Sequence, residues 1–392
     1  MRNCKFNRLN FSIYAFIIIF NIPVFNTFGQ VNYSFSGYAV ELPVYSIINY
    51  DLAALSQITR SQFLNLGKIR LRPEVGLWNE GRINMEYEAD IIYSKENYSA
   101  FINPAGSGRQ VLNLRWQLYQ NHNTQILNYI DRLYFRQGFT NGNIIAGRQR
   151  IAWGVGRVWS PTDLFNPLNP ANFGKTEKDG ADAVSLSYSF GSFTDLNVVY
   201  NPQEKINSSN YGLRLRTNAA GYDFAAVGGY FDHRIILGGD FAGNIFNAGI
   251  RGEGIISADD KRYYNNFARV VFGVDNQFTP DLYGMIEYQY NGEGSPYKNN
   301  YDLAGLLTGQ IINVSRNYFF ISGNYQLTPL LMITLSDNTN LNDGSGYVLA
   351  SGLFSVTNNI SLTTGGFIPY GERFAEYWYY PDSVYLQAEI FF

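Results

Sequence analysis

Cysteine is nearly missing from this 392-residue chain, which holds only Cys4, and histidine is limited to His122 and His233. Cys4 precedes an apolar stretch that reads as part of an export signal, so the processed chain would carry no thiol. Disulfides, thiolate metal sites and cysteine nucleophiles are then excluded. The two histidines have no ligand spacing around them, which removes a histidine-rich metal centre and leaves a serine hydrolase without a supported base. Each reads as a loop or buried histidine. Beyond the leader there is no run approaching the roughly 18 apolar residues of a spanning helix. Gly154-Val155-Gly156 lacks the third glycine and the strand-to-helix setting of a dinucleotide fingerprint. The Asn338 to Gly344 run looks like a calcium loop, but its glycine is displaced and no glutamate closes it, so an extracellular loop is the simpler reading. With 29 basic and 32 acidic residues there is no positive excess to attract nucleic acid. Nothing in the sequence calls for a cofactor or for catalytic residues.

Aromatics and glycine are abundant, with 31 Tyr, 29 Phe and 38 Gly, and the mean hydropathy is only -0.17. A transmembrane β-barrel combines these properties, because alternation hides its apolar face inside a near-neutral average. A secreted sandwich or lectin is the competing all-β reading. The last ten residues alternate without a break, Val384, Leu386, Ala388, Ile390 and Phe392 on one face and Ser383, Tyr385, Gln387, Glu389 and Phe391 on the other. Roughly ten residues is the length a tilted strand needs to cross a hydrocarbon core. At the other end Arg2, Lys5 and Arg8 precede the apolar stretch from Phe11 to Phe25 and then Thr27-Phe28-Gly29. That order predicts a cleaved signal peptide over 1–29 and a single barrel domain over 30–392. Removal of the leader takes the formal charge from -3 to -6, since three bases and no acid leave with it.

Tight turns at Gly138 to Asn143, Gly191 to Thr194, Asn218 to Gly221, Phe278 to Asp281, Thr328 to Leu330 and Thr357 to Asn359 alternate with longer polar stretches. Short periplasmic turns and long external loops are the pattern of an outer-membrane barrel. Counting back from a descending terminal strand predicts an antiparallel up-and-down barrel of about 18 strands, with 16 the nearest alternative. Val111 to Tyr119 alternates as well and reads as an extension or infold above the strand Gln125 to Gln137. Tyr377 to Tyr380, Tyr288 and Tyr290 are expected at lipid headgroup height. The environment is therefore outer-membrane lipid and lipopolysaccharide in a Gram-negative envelope, and the strand ending at Phe392 would address the barrel-assembly machinery.

The face of Arg70 and Arg72 and that of Glu86 and Glu88 must look inward, because a charge on the lipid side near midplane costs up to about 2–4 kcal/mol. Arg251, Glu253 and Glu287 are inward candidates in later strands. Arg148 and Arg150, two residues apart, face the same side, and Arg132 on the adjoining strand can join them. Arg157, Asp163 and Asp182 belong to the following loop or its edges, where Pro161, Pro167 and Pro170 forbid regular ladder pairing. Such charges either select solutes or clamp the loop, and the pattern leaves both open.

Arg148-Gln149 followed by Trp153-Gly154, then Pro161, Asp163, Phe165 and Pro167, resembles a family of bacterial outer-membrane porin-like proteins with an Arg-Gln-x-x-x-Trp-Gly strand and a Pro-x-Asp-x-Phe-x-Pro loop. The match is specific over about forty residues. What it implies is a β-barrel pore for passive diffusion of small polar or charged solutes, its third long loop folded inward as a constriction. A barrel that transports nothing and serves in surface binding or assembly is the alternative.

Overall fold

The computed structural model describes residues 31–95, 108–165, 177–259, 265–303, 306, 311 and 313–392. The expected leader lies outside the described residues, as do Pro167 and Pro170 of the proline-rich loop.

All strands belong to one 19-stranded sheet in which every pairing is antiparallel. The first five are β1 (Asn32–Ile47), β2 (Ser61–Trp78), β3 (Gly81–Ser94), the short β4 (Arg115–Gln120) and β5 (Thr124–Phe139). Then come β6 (Gly142–Gln149), β7 (Ala181–Ser189), β8 (Thr194–Asn201), β9 (Asn210–Ala219), β10 (Tyr222–Phe231), β11 (Arg234–Ile245) and β12 (Ala248–Asp259). The chain finishes with β13 (Phe267–Thr279), β14 (Leu282–Asn291), β15 (Asn317–Thr328), β16 (Leu331–Asn340), β17 (Gly346–Thr357), β18 (Ile360–Tyr370) and β19 (Asp382–Phe391). β3 pairs with β5 and β19 returns to β1, so eighteen strands close the barrel and β4 is additional. The count is eighteen, not sixteen.

Local chemistry explains the hairpins. Ala220 and Gly221 both have positive φ, the two-residue turn whose twist matches its flanking strands. In three other turns a threonine hydroxyl replaces that device. Thr279, Thr328 and Thr357 each accept from backbone amides within the turn, and a one-residue register shift precedes each threonine. On the far side, the link between β1 and β2 carries the short helix α1 (Tyr50–Ser56), capped by the Asn49 side chain on the amide of Asp51.

Alternation sorts the wall into two faces. Ile256 of β12 is 61% exposed whereas Arg251, Glu253, Ile255 and Ser257 are buried, so the polar row faces inward and the apolar row outward. β4 is the exception to simple meandering. It pairs with β5 through Arg115 to Gln120, along the edge that β6 occupies lower down through Leu133 to Phe139. It is therefore an extension of the wall above the end of β6, and the chain just before it, Arg109 to Leu114, reaches β7 and β5 through backbone bonds from Asp182 N to Arg109 O and from Ile130 N to Leu114 O.

Candidate functional site

β6 stops at Gln149, and the chain that follows runs across the inward face of strands far along the sequence. Its amides explain why it stays there. Arg157 N, Val158 N and Trp159 N donate to the Glu287 carboxylate at 2.8, 3.0 and 2.9 Å. Val155 N and Gly156 N donate to Glu253 at 3.2 and 3.3 Å, and the Thr162 hydroxyl joins them. A carboxyl group has acceptor sites enough to take several such donors at once. Gly154, at φ +90°, allows the turn, and a Cβ there would collide with Ser160 Oγ, Thr162 Oγ and the Glu253 carboxylate.

Apolar packing fixes the same segment. Trp153, Leu164 and Phe165 join Ala181, Ala183, Val199, Val227 and Phe231 in one buried cluster. The Phe165 ring meets those of Trp153 and Phe231 edge-on, at centroid distances of 5.1 and 5.0 Å. Trp153 Nε1 donates to Asn197 Oδ1 at 3.0 Å, and Gly212 leaves room for the indole.

The returning leg is held by charge. Arg70 meets Glu86, Glu88 and Asp131 at 2.6, 2.6 and 2.5 Å and reaches Glu177 at 3.4 Å. Arg72 also pairs with Glu177, while Arg132 donates to the carbonyl of Lys178 at 2.8 Å. Gly180 N donates to Asp131 Oδ1 at 3.0 Å, and the Lys178 ammonium pairs with Asp163 across the two legs.

Arg148 has a different place from the one its spacing suggested. Leu133, Arg148 and Asp182 are opposite one another in register, and this face carries the exposed side chains of Leu133, Val184 and Leu186. Arg148 therefore springs from the outward face and does not share one with Arg150, because the strand that would have aligned them has already ended. Its guanidinium bonds Asp182, Ile130 O and Leu112 O, and Asp182 accepts from the amides of Val111 and Leu112 at 2.7 and 2.8 Å. The pair seals the joint where β6 leaves the wall and Arg109 to Leu114 takes its place.

The expected residues thus fall into separate groups. Glu253 and Glu287 hold the outgoing leg, whereas Arg70, Arg72 and Arg132, with Glu86 and Glu88 behind them, hold the returning one. Arg251 pairs with Asp275 on the inward wall. Arg150 and Arg157 are exposed and join no ion pair among the described residues. Asp131 and Thr162 were missed; Asp131 follows an apolar residue in a strand whose bulge alone turns it inward. The aromatic run before β19 is also placed differently, since Tyr377 and Trp378 are buried in a cap over the barrel instead of facing lipid. The oxygens of Asn340, Asn342 and Asp343 accept protein donors, and no group of three His, Cys, Asp or Glu suited to a metal occurs among the described residues.

No protein-family model matches the chain, and no curated protein matches it. Solved structures do. Acinetobacter baumannii OccAB1 aligns with a TM-score of 0.56 at 10% identity, covering 93% of this chain and 97% of that one. A triple mutant of Rhodopseudomonas blastica porin aligns with a TM-score of 0.48 at 8% identity, covering 92% and 100%. At such identity the likeness to OccAB1 is one of fold.

Proposed function

We propose that the protein is an outer-membrane porin-like channel through which small polar or charged solutes diffuse passively. The single observation that carries this reading is the row of amides from Val155 to Trp159 bound to Glu253 and Glu287, carboxylates on the inward face of the wall. A loop pinned there narrows the lumen and leaves Arg150 and Arg157, exposed and in no ion pair among the described residues, to act on passing ions. The outward apolar rows suit the outer membrane and its lipopolysaccharide. Export behind a cleaved leader over 1–29, and delivery by the barrel-assembly machinery through the strand ending at Phe392, belong to the same proposal. The protein acts as a conduit and not as an enzyme.

Purified protein reconstituted in planar bilayers tests the reading. Discrete conductance steps with an ion preference are expected; silence at every voltage would sink the channel and leave a non-transporting barrel.

A further inference from the structure

Above the proposed constriction, the connection between β18 and β19 forms a 3-10 turn, Glu376–Tyr379, that is buried against the barrel instead of standing in solvent. Glu376 is only 2% exposed. Its carboxylate oxygen Oε2 accepts from Tyr318 OH at 2.7 Å and from Asn340 Nδ2 at 2.8 Å. The Glu376 amide donates to Asp343 Oδ2 at 2.9 Å, and Tyr377 OH accepts from Asn338 Nδ2 at 3.0 Å.

Tyr318 has a second partner. Its ring lies 6.0 Å from that of Trp159, and Trp159, Tyr318, Tyr347, Phe367 and Tyr377 form one buried cluster. Trp159 is also one of the three residues whose amides donate to Glu287. One side chain therefore touches the external cap through its hydroxyl and the inner segment through its ring.

We propose that the Glu376–Tyr379 turn is a pH-sensitive latch that holds Trp159, and with it the 155–159 segment, through the shared side chain of Tyr318. The latch rests on the channel reading only for its consequence, a looser constriction when the turn undocks. The titratable groups facing Glu376 are Tyr301, Tyr318, Tyr347, Tyr377, Tyr380 and Asp343, none of which supplies a positive charge. Burial, with the nearby Asp343 adding to it, pushes the Glu376 carboxyl from the ordinary 4.5 up to about 8. The docked turn then keeps a proton that the undocked turn, open to water, releases. Docking is strongest below the ordinary value and weakens by about tenfold per pH unit until about 8, above which it changes no further.

Amide hydrogen exchange on the detergent-solubilised full chain, corrected for the intrinsic rate at each pH, tests this without requiring conduction. Protection of 157–159 and of 376–380 should fall together, about tenfold per pH unit, between pH 5 and 8. Glu376→Gln should make both profiles flat, and Tyr318→Phe, which keeps the ring and removes the hydroxyl, should lower cap protection at pH 5. Parallel bilayer recordings should show current noise that rises with pH in the unmodified protein and not in Glu376→Gln. A cap that loses protection while 157–159 keeps it would overturn the latch, as would unmodified protein whose profiles are already flat. A pH slope that survives in Glu376→Gln would do the same. If that variant does not fold, the coupling of the two segments in the unmodified protein still decides the matter. Silent bilayers with coupled exchange would defeat the channel reading and leave the latch standing, whereas a conducting protein with uncoupled exchange defeats only the latch.

Discussion

Arg148 and Asp182 face each other across β6 and β7 with Nε 2.7 Å from Oδ1, both buried although they spring from the outward side of the wall. The pair also accepts or supplies bonds to Ile130, Val111 and Leu112, which makes it the joint between β5, β7 and the chain that replaces β6. Arg148→Ala leaves the Asp182 carboxylate buried without its cation, held only by the amides of Val111 and Leu112, a loss of up to about 3–5 kcal/mol. The variant should unfold at lower temperature, read as the loss of heat resistance on a denaturing gel, with no change in reversal potential. A shifted reversal potential in a barrel of unchanged heat resistance would contradict a purely structural role.

Glu287 serves three consecutive amides with one carboxylate. Glu287→Ala deprives each of its acceptor, a cost on the order of 1–3 kcal/mol per amide before water in the lumen relieves it. The wall does not depend on these bonds, so the barrel should fold and the segment should loosen. Larger and noisier single-channel currents are expected, with Glu287→Gln intermediate because one oxygen remains to accept. Currents identical to those of the unmodified protein would show that the segment does not limit flow.

The barrel was legible because its rule is local. Period-two alternation in β3 and β19 and the tight turns that alternate with longer polar stretches report the wall directly. The site was legible only in part. Glu287 and Arg70 announced themselves as charges in strands that must hide them, but their partners are up to 130 residues away in one case and spread over two strands and the returning leg in the other. The error over Arg148 has a single cause: two residues at spacing two share a face only while the strand continues, and β6 ends between them. Glu376 carried no signal, since a glutamate beside aromatics in a loop looks the same whether it is solvated or buried.

Arg150 and Arg157 are the exposed cations of the segment among the described residues. At about 5 Å in water a unit charge is worth about 0.8 kcal/mol to a passing ion, so removing one changes the access of each ion by up to roughly fourfold, in opposite directions for cation and anion. Arg157→Ala should move the reversal potential in a salt gradient toward cation preference, and Arg150→Ala should move it the same way. The shift should shrink as ionic strength rises, since the Debye length falls to about 3 Å at 1 M. A shift that persists unchanged at 1 M salt would point to altered loop position and not to lost charge.

Closure of the barrel concentrates on Gly37. Gly37 N donates to Phe392 O at 2.8 Å and Phe392 N donates to Gly37 O at 3.0 Å, so the last residue of the chain completes the seam of β1 and β19. The Phe392 ring lies over the glycine and stacks on Phe35 at 6.2 Å, which places a Cβ at position 37 only 2.7 Å from that ring and against the carbonyl of Arg70. A ring can swing away, but the Arg70 carbonyl belongs to the neighbouring strand and cannot. Gly37→Val should therefore damage closure more than Phe392→Ala, which keeps both backbone bonds and loses only the packing of a half-exposed side chain. Heat resistance on a denaturing gel should be lost in the first variant and reduced in the second. The reverse order would mean that the terminal ring, and not the space beneath it, decides how the seam closes.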